Sequence, residues 1–138
     1  MTADDIIAHL DLAPHPEGGF YRQTWIAENG GRPTGTCIYF LLKAGGGSHW
    51  HRVDATEIWF WHAGAPLILS LSETDQGPKS ELCLGSDLTR GQIPQGILPT
   101  DYWQAARTTG AWTLVSCTVS PGFSFDGFTL APPDFDIP

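Results

Sequence analysis

The sequence has little positive charge and no hydrophobic run of membrane-spanning length. Seven Lys and Arg residues stand against fifteen Asp and Glu, which gives a formal net charge of -8. The basic residues occur singly, and a chain without a basic patch to neutralise phosphates is not expected to bind nucleic acid. A membrane-spanning helix needs about 20 apolar residues. The N-terminus carries Asp4 and Asp5 instead of the basic start of a secretory signal. We therefore expect a cytoplasmic protein that is not bound to a membrane.

Cysteine is scarce, and its spacing excludes the common metal and redox motifs. Cys37, Cys83 and Cys117 lie far apart, and none belongs to a Cys-x-x-Cys pair. Cys37 and Cys117 lie within apolar runs. The sequence therefore predicts buried free thiols in a reducing compartment.

Aromatic residues, glycine and proline are abundant instead, in a pattern typical of short strands. The 138 residues include 6 Trp, 7 Phe, 3 Tyr, 16 Gly and 11 Pro. A capping box at Thr2 and Asp5 predicts one N-terminal helix, which ends before Pro14. Short apolar or alternating segments then recur between turn signals, which indicates an all-β sandwich or barrel. The predicted strands are 20–25, 36–42, 48–52, 57–62, 67–72, 81–84, 102–107, 112–119 and 128–130.

No linker or repeat divides the chain, so the sequence predicts a single domain over 1–138. Residues 1–19 are expected to form the helix and an irregular turn, and residues 20–130 the barrel. The tail over 131–138 holds three Pro and two Asp. We expect this tail to be extended and loosely packed.

The main candidate for chemistry is the segment Ser48-His49-Trp50-His51-Arg52, followed by Glu57. On a regular strand His49 and His51 point to the same face, and Glu57 opens the next predicted strand. Two imidazoles and a carboxylate that converge in this way suit Zn, Fe, Mn or Ni. The same groups also suit a metal-free acid–base pair, and a purely structural role is the third interpretation.

The order of these residues resembles the first cupin motif, in which a Gly-rich turn precedes His-x-His, a Glu and a Gly. Pro99 to Gln104 is similar to the second cupin motif, with Gln104 in place of the usual His ligand. Gln is a poorer ligand than imidazole for these metals, so the resemblance leaves metal occupancy open. The flanking motifs make the likeness specific to a family of small bacterial and fungal cupins. These motifs are Pro14-His15-Pro16-Glu17-Gly18-Gly19-Phe20-Tyr21-Arg22, Ser48-x-Trp50-His51-Arg52-Val53, Glu57-Ile58-Trp59, Trp103-Gln104-Ala105-Ala106 and Leu114-Val115-Ser116-Cys117-Thr118-Val119-x-Pro121-Gly122-Phe123.

The resemblance implies a cupin double-stranded β-helix, a jelly-roll barrel like that of the sugar-nucleotide 3,5-epimerases and germins, and a homodimer. It also implies that His51, Glu57 and Gln104 line the pocket, whereas the position of His49 varies in the family. Further candidates from the residues themselves are Arg22 as an anion anchor, Trp59 and Trp61 as stacking surfaces, and Tyr39 and Tyr102 as general acids. His15 is assigned a structural role. The full set of candidate substrate-binding residues is Arg22, Ser48, Trp59, Trp61 and Gln104.

Three functions remain open at this stage. The leading hypothesis is a metal-independent epimerase or isomerase of a small sugar or nucleotide-like compound, with His51 as base and Glu57 orienting it. A Tyr would return the proton. The second is a metal-dependent oxygenase or isomerase with His49, His51, Glu57 and Gln104 as ligands. The third is a non-enzymatic module that binds a small-molecule ligand.

Overall fold

The chain begins with the helix that the capping box predicts. In the computed structural model, which describes residues 1–138, helix α1 spans Ala3–Leu10. The Thr2 amide donates to Asp5 Oδ2 at 2.9 Å and the Asp5 amide donates to Thr2 Oγ1 at 3.1 Å. None of the helices has the length and hydrophobicity to cross a membrane.

Eleven strands follow and form two antiparallel sheets, so the predicted all-β jelly-roll architecture with a short N-terminal helix is confirmed. The six-stranded sheet has the order β1-β2-β3-β10-β5-β8, and the five-stranded sheet the order β11-β4-β9-β6-β7. All nine predicted strands are present; β1 and β8 are two short strands that the sequence patterns did not indicate. The strands are β1 Ala13–Pro14, β2 Phe20–Ile26, β3 Thr36–Lys43, β4 Ser48–Val53, β5 Thr56–Gly64, β6 Leu67–Ser72, β7 Ser80–Leu84, β8 Gln95–Leu98, β9 Trp103–Thr108, β10 Trp112–Ser120 and β11 Phe128–Leu130.

The main hydrophobic core lies between the two sheets. Alternate residues of each strand face inward, as the two-residue period of a strand requires. This core fills one part of the barrel and leaves a cavity in the rest. Its buried members are Phe40, Leu42, Trp59, Leu67, Leu69, Leu84, Leu98, Ala106, Val115 and Cys117.

The C-terminal tail packs tightly against the outer face of the five-stranded sheet. Ile137 is fully buried there beside Trp50 and Ala131. The Trp50 indole N–H donates to Asp136 Oδ1 at 2.8 Å, and the Lys79 amide donates to the Pro138 carbonyl at 2.9 Å. The tail is extended, but the expectation that it is loosely packed is wrong, because it covers an outward-facing indole that needs both an apolar cover and an acceptor.

Candidate functional site

A β-bulge in β4 decides which side chains of the His-x-His segment enter the barrel. Ser48 pairs with Ala106 and His51 with Gln104, so three steps along β4 match two along β9. Ser48 and His51 therefore both face inward and are buried. His49 faces outward, with Nε2 2.8 Å from the carbonyl oxygen of Pro132 in the tail. The prediction that His49 and His51 share a face is wrong, because strict alternation does not continue through a bulge.

The N-terminal turn inserts Glu17 into the barrel beside Ser48 and His51. The turn is closed by the His15 amide, which donates to the Gly19 carbonyl at 2.9 Å, and it is held to β4 by the His49 amide, which donates to the Glu17 carbonyl at 2.7 Å. Gly18 has φ +102°, and a Cβ there would overlap the carbonyl oxygen of Gly47. Only glycine fits this close approach. As a result Glu17 is 8% exposed, and its Oε2 accepts a hydrogen bond from Ser48 Oγ.

The hydrogen bonds of the two histidines fix the protonation pattern around Glu17. His51 Nδ1 lies 2.7 Å from the His49 carbonyl, which only accepts, so Nδ1 carries the proton and Nε2 is a lone pair. That Nε2 lies 3.3 Å from Glu17 Oε2. The Glu17 amide donates to His15 Nδ1 at 3.1 Å, so His15 Nδ1 is also a lone pair, and it lies 3.4 Å from Glu17 Oε1. The free lone pair of His51 Nε2 thus faces the carboxyl group, an arrangement that favours a proton on Glu17.

The pKa values of Glu17, His15 and His51 agree with a neutral cluster, in which all three side chains are uncharged at neutral pH. Burial raises the pKa of Glu17 to about 8. Burial also lowers the pKa of His15 to about 4, and burial is the main cause of the lowered pKa of His51. At neutral pH the contacts of Glu17 with both imidazoles are therefore contacts between uncharged groups and not ion pairs.

Glu57 is held by a chain of hydrogen bonds that begins at Trp59. The Trp59 indole N–H, which only donates, lies 3.0 Å from Gln104 Oε1, and this fixes the orientation of the amide. Gln104 Nε2 then donates to Glu57 Oε1 at 2.9 Å. Burial, with the nearby Glu17 carboxyl as the second cause, raises the pKa of Glu57 to about 7. Gln104 is 1% exposed and is not among the lining residues of the cavity, so its role is to position the carboxyl group.

One cavity of about 230 Å³ opens beside these groups. Glu17 and Glu57 are its only acidic residues, and no Lys or Arg lines it. Three aromatic side chains, those of Tyr21, Phe123 and Phe125, form part of its wall. The remaining lining residues are His15, Gln23, Thr36, Ile38, Val53, Cys117 and Val119.

Several of the predicted pocket residues lie elsewhere, and their positions correct the sequence interpretation. Arg22 is on the outer face, where its Nε donates to the Leu10 carbonyl at 2.7 Å and its guanidinium stacks on Tyr39. Tyr39 packs under helix α1, and Tyr102 lines a separate surface depression. Arg22 and Tyr39 occupy outward-facing positions of β2 and β3, and Tyr102 lies just before the start of β9. None of the three side chains therefore reaches the cavity.

The two tryptophans predicted as stacking surfaces are structural. Trp59 is 1% exposed within the main core, and the Trp61 indole N–H donates to the Ala65 carbonyl at 3.0 Å. Neither lines the cavity. The aromatic wall comes instead from Tyr21 on β2 and from the loop that holds Phe123 and Phe125.

Sequence reasoning missed Glu17, His15 and Tyr21 as site residues. The signal was present in the motif Pro14-His15-Pro16-Glu17-Gly18-Gly19, where two adjacent glycines allow the backbone to approach β4 closely. An isolated turn gives no indication that its tip points into a barrel, because loops ordinarily run over the surface.

The donor groups do not fit the metal site that the cupin resemblance suggests. His49 points out of the barrel, and both polar ends of the Gln104 amide are already bonded within the protein. No group of three or more His, Cys, Asp or Glu side chains is arranged to hold a metal ion.

Comparison with known proteins assigns the chain to a family. The family model Cupin superfamily (DUF985) matches residues 4–131. The chain belongs to this cupin family. A Shewanella oneidensis protein of known structure is 39% identical, with a TM-score of 0.89 over 95% of this chain and 85% of that one. A hypothetical protein from Leishmania major is 30% identical, with a TM-score of 0.85 over 95% of this chain and 88% of that one.

More distant cupins share the fold alone. Oxalate decarboxylase from Bacillus subtilis has a TM-score of 0.66 at 13% identity, over 88% of this chain and 30% of that one. No curated protein matches the sequence. The function has to be argued from the cavity itself.

Proposed function

We propose that this cupin catalyses a proton transfer that epimerises or isomerises a small molecule, with Glu57 as general base and Glu17 as general acid. One observation carries the proposal: two buried carboxyl groups line the same cavity, with pKa values of about 7 and about 8. Paired titratable groups whose environments separate their pKa values are a common arrangement for acid–base catalysis. Between these values the favoured state has Glu57 ionised and Glu17 protonated.

The reaction that suits this pair removes a hydrogen from a carbon next to a C=O or C=N group. Glu57 takes the proton, and the electron pair of the broken C–H bond forms a C=C bond as the neighbouring oxygen or nitrogen accepts a proton from Glu17. The reverse transfer, to the other face of the same carbon or to an adjacent carbon, gives the epimer or the isomer. A base with a pKa near the working pH is favourable for such a transfer.

The sequence hypothesis named His51 as the base, and the proposal gives it a different role. His51 is 1% exposed and does not line the cavity, and Glu17 lies against its Nε2. It is a positioning residue that keeps the acid protonated and oriented. Gln104 has the matching role for Glu57, because its amide donates to the carboxyl group.

The size of the cavity favours a substrate smaller than a nucleotide sugar. Sites for drug-sized ligands have volumes of about 300–1,000 Å³, and this cavity has about 230 Å³. A diphosphate would also lack a cationic partner, because no Lys or Arg lines the cavity. These features favour a small monosaccharide fragment, keto compound or imine over a nucleotide.

Exchange of carbon-bound hydrogen in D₂O tests the proposal. A panel of small aldoses, ketoses, keto acids and cyclic imines is incubated with the protein, and proton NMR follows the loss of each C–H signal. We expect enzyme-dependent exchange in at least one compound, and a loss of about 100-fold or more in Glu57→Gln. Glu28→Gln, which removes an exposed carboxylate outside the cavity, is the matched control. Saturable binding of a compound without any exchange would refute catalysis and support the binding module.

A further inference from the structure

We infer that the natural ligand of this cavity is a small organic cation, a compound with a protonated or quaternary nitrogen held between the two carboxyl groups and the aromatic wall. The inference rests on the proposed function for the identity of the site and adds the charge of its substrate.

The cavity contains acidic groups and no basic side chain to match them. Glu17 and Glu57 are 8% and 7% exposed, and both line the cavity. His15, the basic residue type that reaches the lining, presents an Nδ1 lone pair to Glu17 and remains neutral. Buried charges in proteins are normally paired. Glu57, the carboxyl group of the pair that ionises first, has no cationic partner among the lining residues, so a cation to pair with it has to come from the ligand.

The aromatic part of the lining supplies the second element of a cation site. Phe123 and Phe125 pack edge to face with ring centroids 4.9 Å apart, and Tyr21 lies beside His15 at 4.6 Å between centroids. All three rings line the cavity, and Phe125 is 56% exposed. The faces of aromatic rings attract ammonium groups, and aromatic cages recognise quaternary nitrogen in this way. An anion would meet two buried carboxyl groups and no cationic side chain.

A positive ligand would also prepare the base. A cation beside Glu57 lowers the pKa of its carboxyl group, because an opposite charge favours the ionised form. Glu57 would then be fully ionised only when the positive ligand is bound. A positive nitrogen close to the reacting carbon also makes its C–H bond more acidic.

Three probes of nearly the same shape test the charge preference. Choline is the cation, 3,3-dimethylbutan-1-ol is its neutral carbon analogue, and 3,3-dimethylbutanoate is an anion of similar size. Binding to the full-length protein is measured by titration calorimetry at pH 7.5 in two buffers with different ionisation enthalpies. We expect choline to bind at least about tenfold more tightly than the alcohol, with release of up to about one proton. We expect the anion to bind least.

Variants connect the preference to the cavity. Phe125→Leu removes an exposed ring without disturbing the core and should weaken choline about two- to fivefold while leaving the alcohol unchanged. Glu57→Gln should remove most of the preference for choline, and Glu28→Gln should retain it. Equal affinity for choline and the alcohol, no binding of either, or tighter binding of the anion would overturn the inference.

The outcome is separable from that of the proposed function. Choline binding without carbon–hydrogen exchange in any compound would leave the cation site standing and refute proton-transfer catalysis. Exchange in an uncharged compound, with no preference for choline over the alcohol, would support proton-transfer catalysis and refute the cation site.

Discussion

Replacement of Glu17 by Gln tests the conclusion that this buried side chain is neutral. The amide in Glu17→Gln has the shape of the carboxyl group, and its N–H₂ donates to His51 Nε2 just as a protonated carboxyl would. We therefore expect Glu17→Gln to be more stable than the native protein at pH 6.5, by up to about 3 kcal/mol, because unfolding at this pH ionises Glu17 in the native chain and leaves the amide unchanged. An ionised Glu17 paired with a protonated His51 predicts a different result, because the loss of one partner of a buried ion pair costs about 3–5 kcal/mol.

The size of the effect grows with pH, and its sign follows from the pKa values. The pKa of Glu17 in the folded state, about 8, lies above its ordinary value of 4.5, so the folded protein holds a proton that the unfolded chain has released. This contribution to stability is complete below pH 4.5 and is lost as the pH rises through 8. Between pH 6.5 and 8.5, linkage gives a loss of about 2 kcal/mol from Glu17 and about 1 kcal/mol from Glu57. Both histidines oppose this loss, because they are neutral in the folded protein while the unfolded chain still protonates them in part near pH 6.5; each returns up to about 0.4 kcal/mol as the pH rises to 8.5.

Guanidinium unfolding at pH 6.5 and pH 8.5 measures both quantities. The native protein should lose about 2 kcal/mol between the two pH values, and the stability of Glu17→Gln should stay nearly constant. Glu28→Gln should behave like the native protein, because Glu28 is exposed. A native stability that stays constant or rises over this range, together with a strongly destabilised Glu17→Gln at pH 6.5, would refute the neutral cluster.

Three further predictions concern the groups that build the site and the fold. Gln104→Met leaves the buried Trp59 indole N–H without an acceptor and should lower the free energy of unfolding, measured in urea, by about 2–4 kcal/mol. It also removes the hydrogen bond to Glu57 and should raise the pKa of that carboxyl group, which a pH–rate profile of the exchange reaction measures. Gly18→Ala, at φ +102° and against the Gly47 carbonyl, should destabilise the protein by about 2 kcal/mol or more and remove the share of the pH-dependent loss that comes from Glu17, because Glu17 can no longer reach the barrel. Ile137→Ala should cost about 2–5 kcal/mol in thermal or chemical unfolding, because the residue is fully buried; a change below about 0.5 kcal/mol would show that the tail is not part of the core.

The fold was predictable because local signals agreed along the chain. The capping box at Thr2, the apolar run of β3 and the glycine and proline turns each indicated the element that forms. β8 was missed because its four residues lie between two prolines and give too short a pattern. The homodimer stays a prediction.

The candidate site was predictable only in part. Glu57 and Gln104 follow regular strand parity, and both face inward as the cupin resemblance implies. The face of His49 depends on a bulge, and a bulge is fixed by pairing with β9, which a local pattern does not contain. Glu17 enters the site because a distant segment, β4, receives the N-terminal turn through the Gly18–Gly47 approach. That contact joins two segments that are far apart in the sequence, so a local sequence pattern does not contain it.

Carbon-13 NMR titration of the glutamate carboxyl groups is the most direct test of the central claim. The chain has five glutamates, and Glu17→Gln and Glu57→Gln assign the two signals of interest. The account predicts that these two titrate far above the rest, Glu57 with a pKa of about 7 and Glu17 with a pKa of about 8. Titration of both signals near the ordinary value of 4.5 would contradict it, because the cavity would then hold two permanent carboxylates and no general acid.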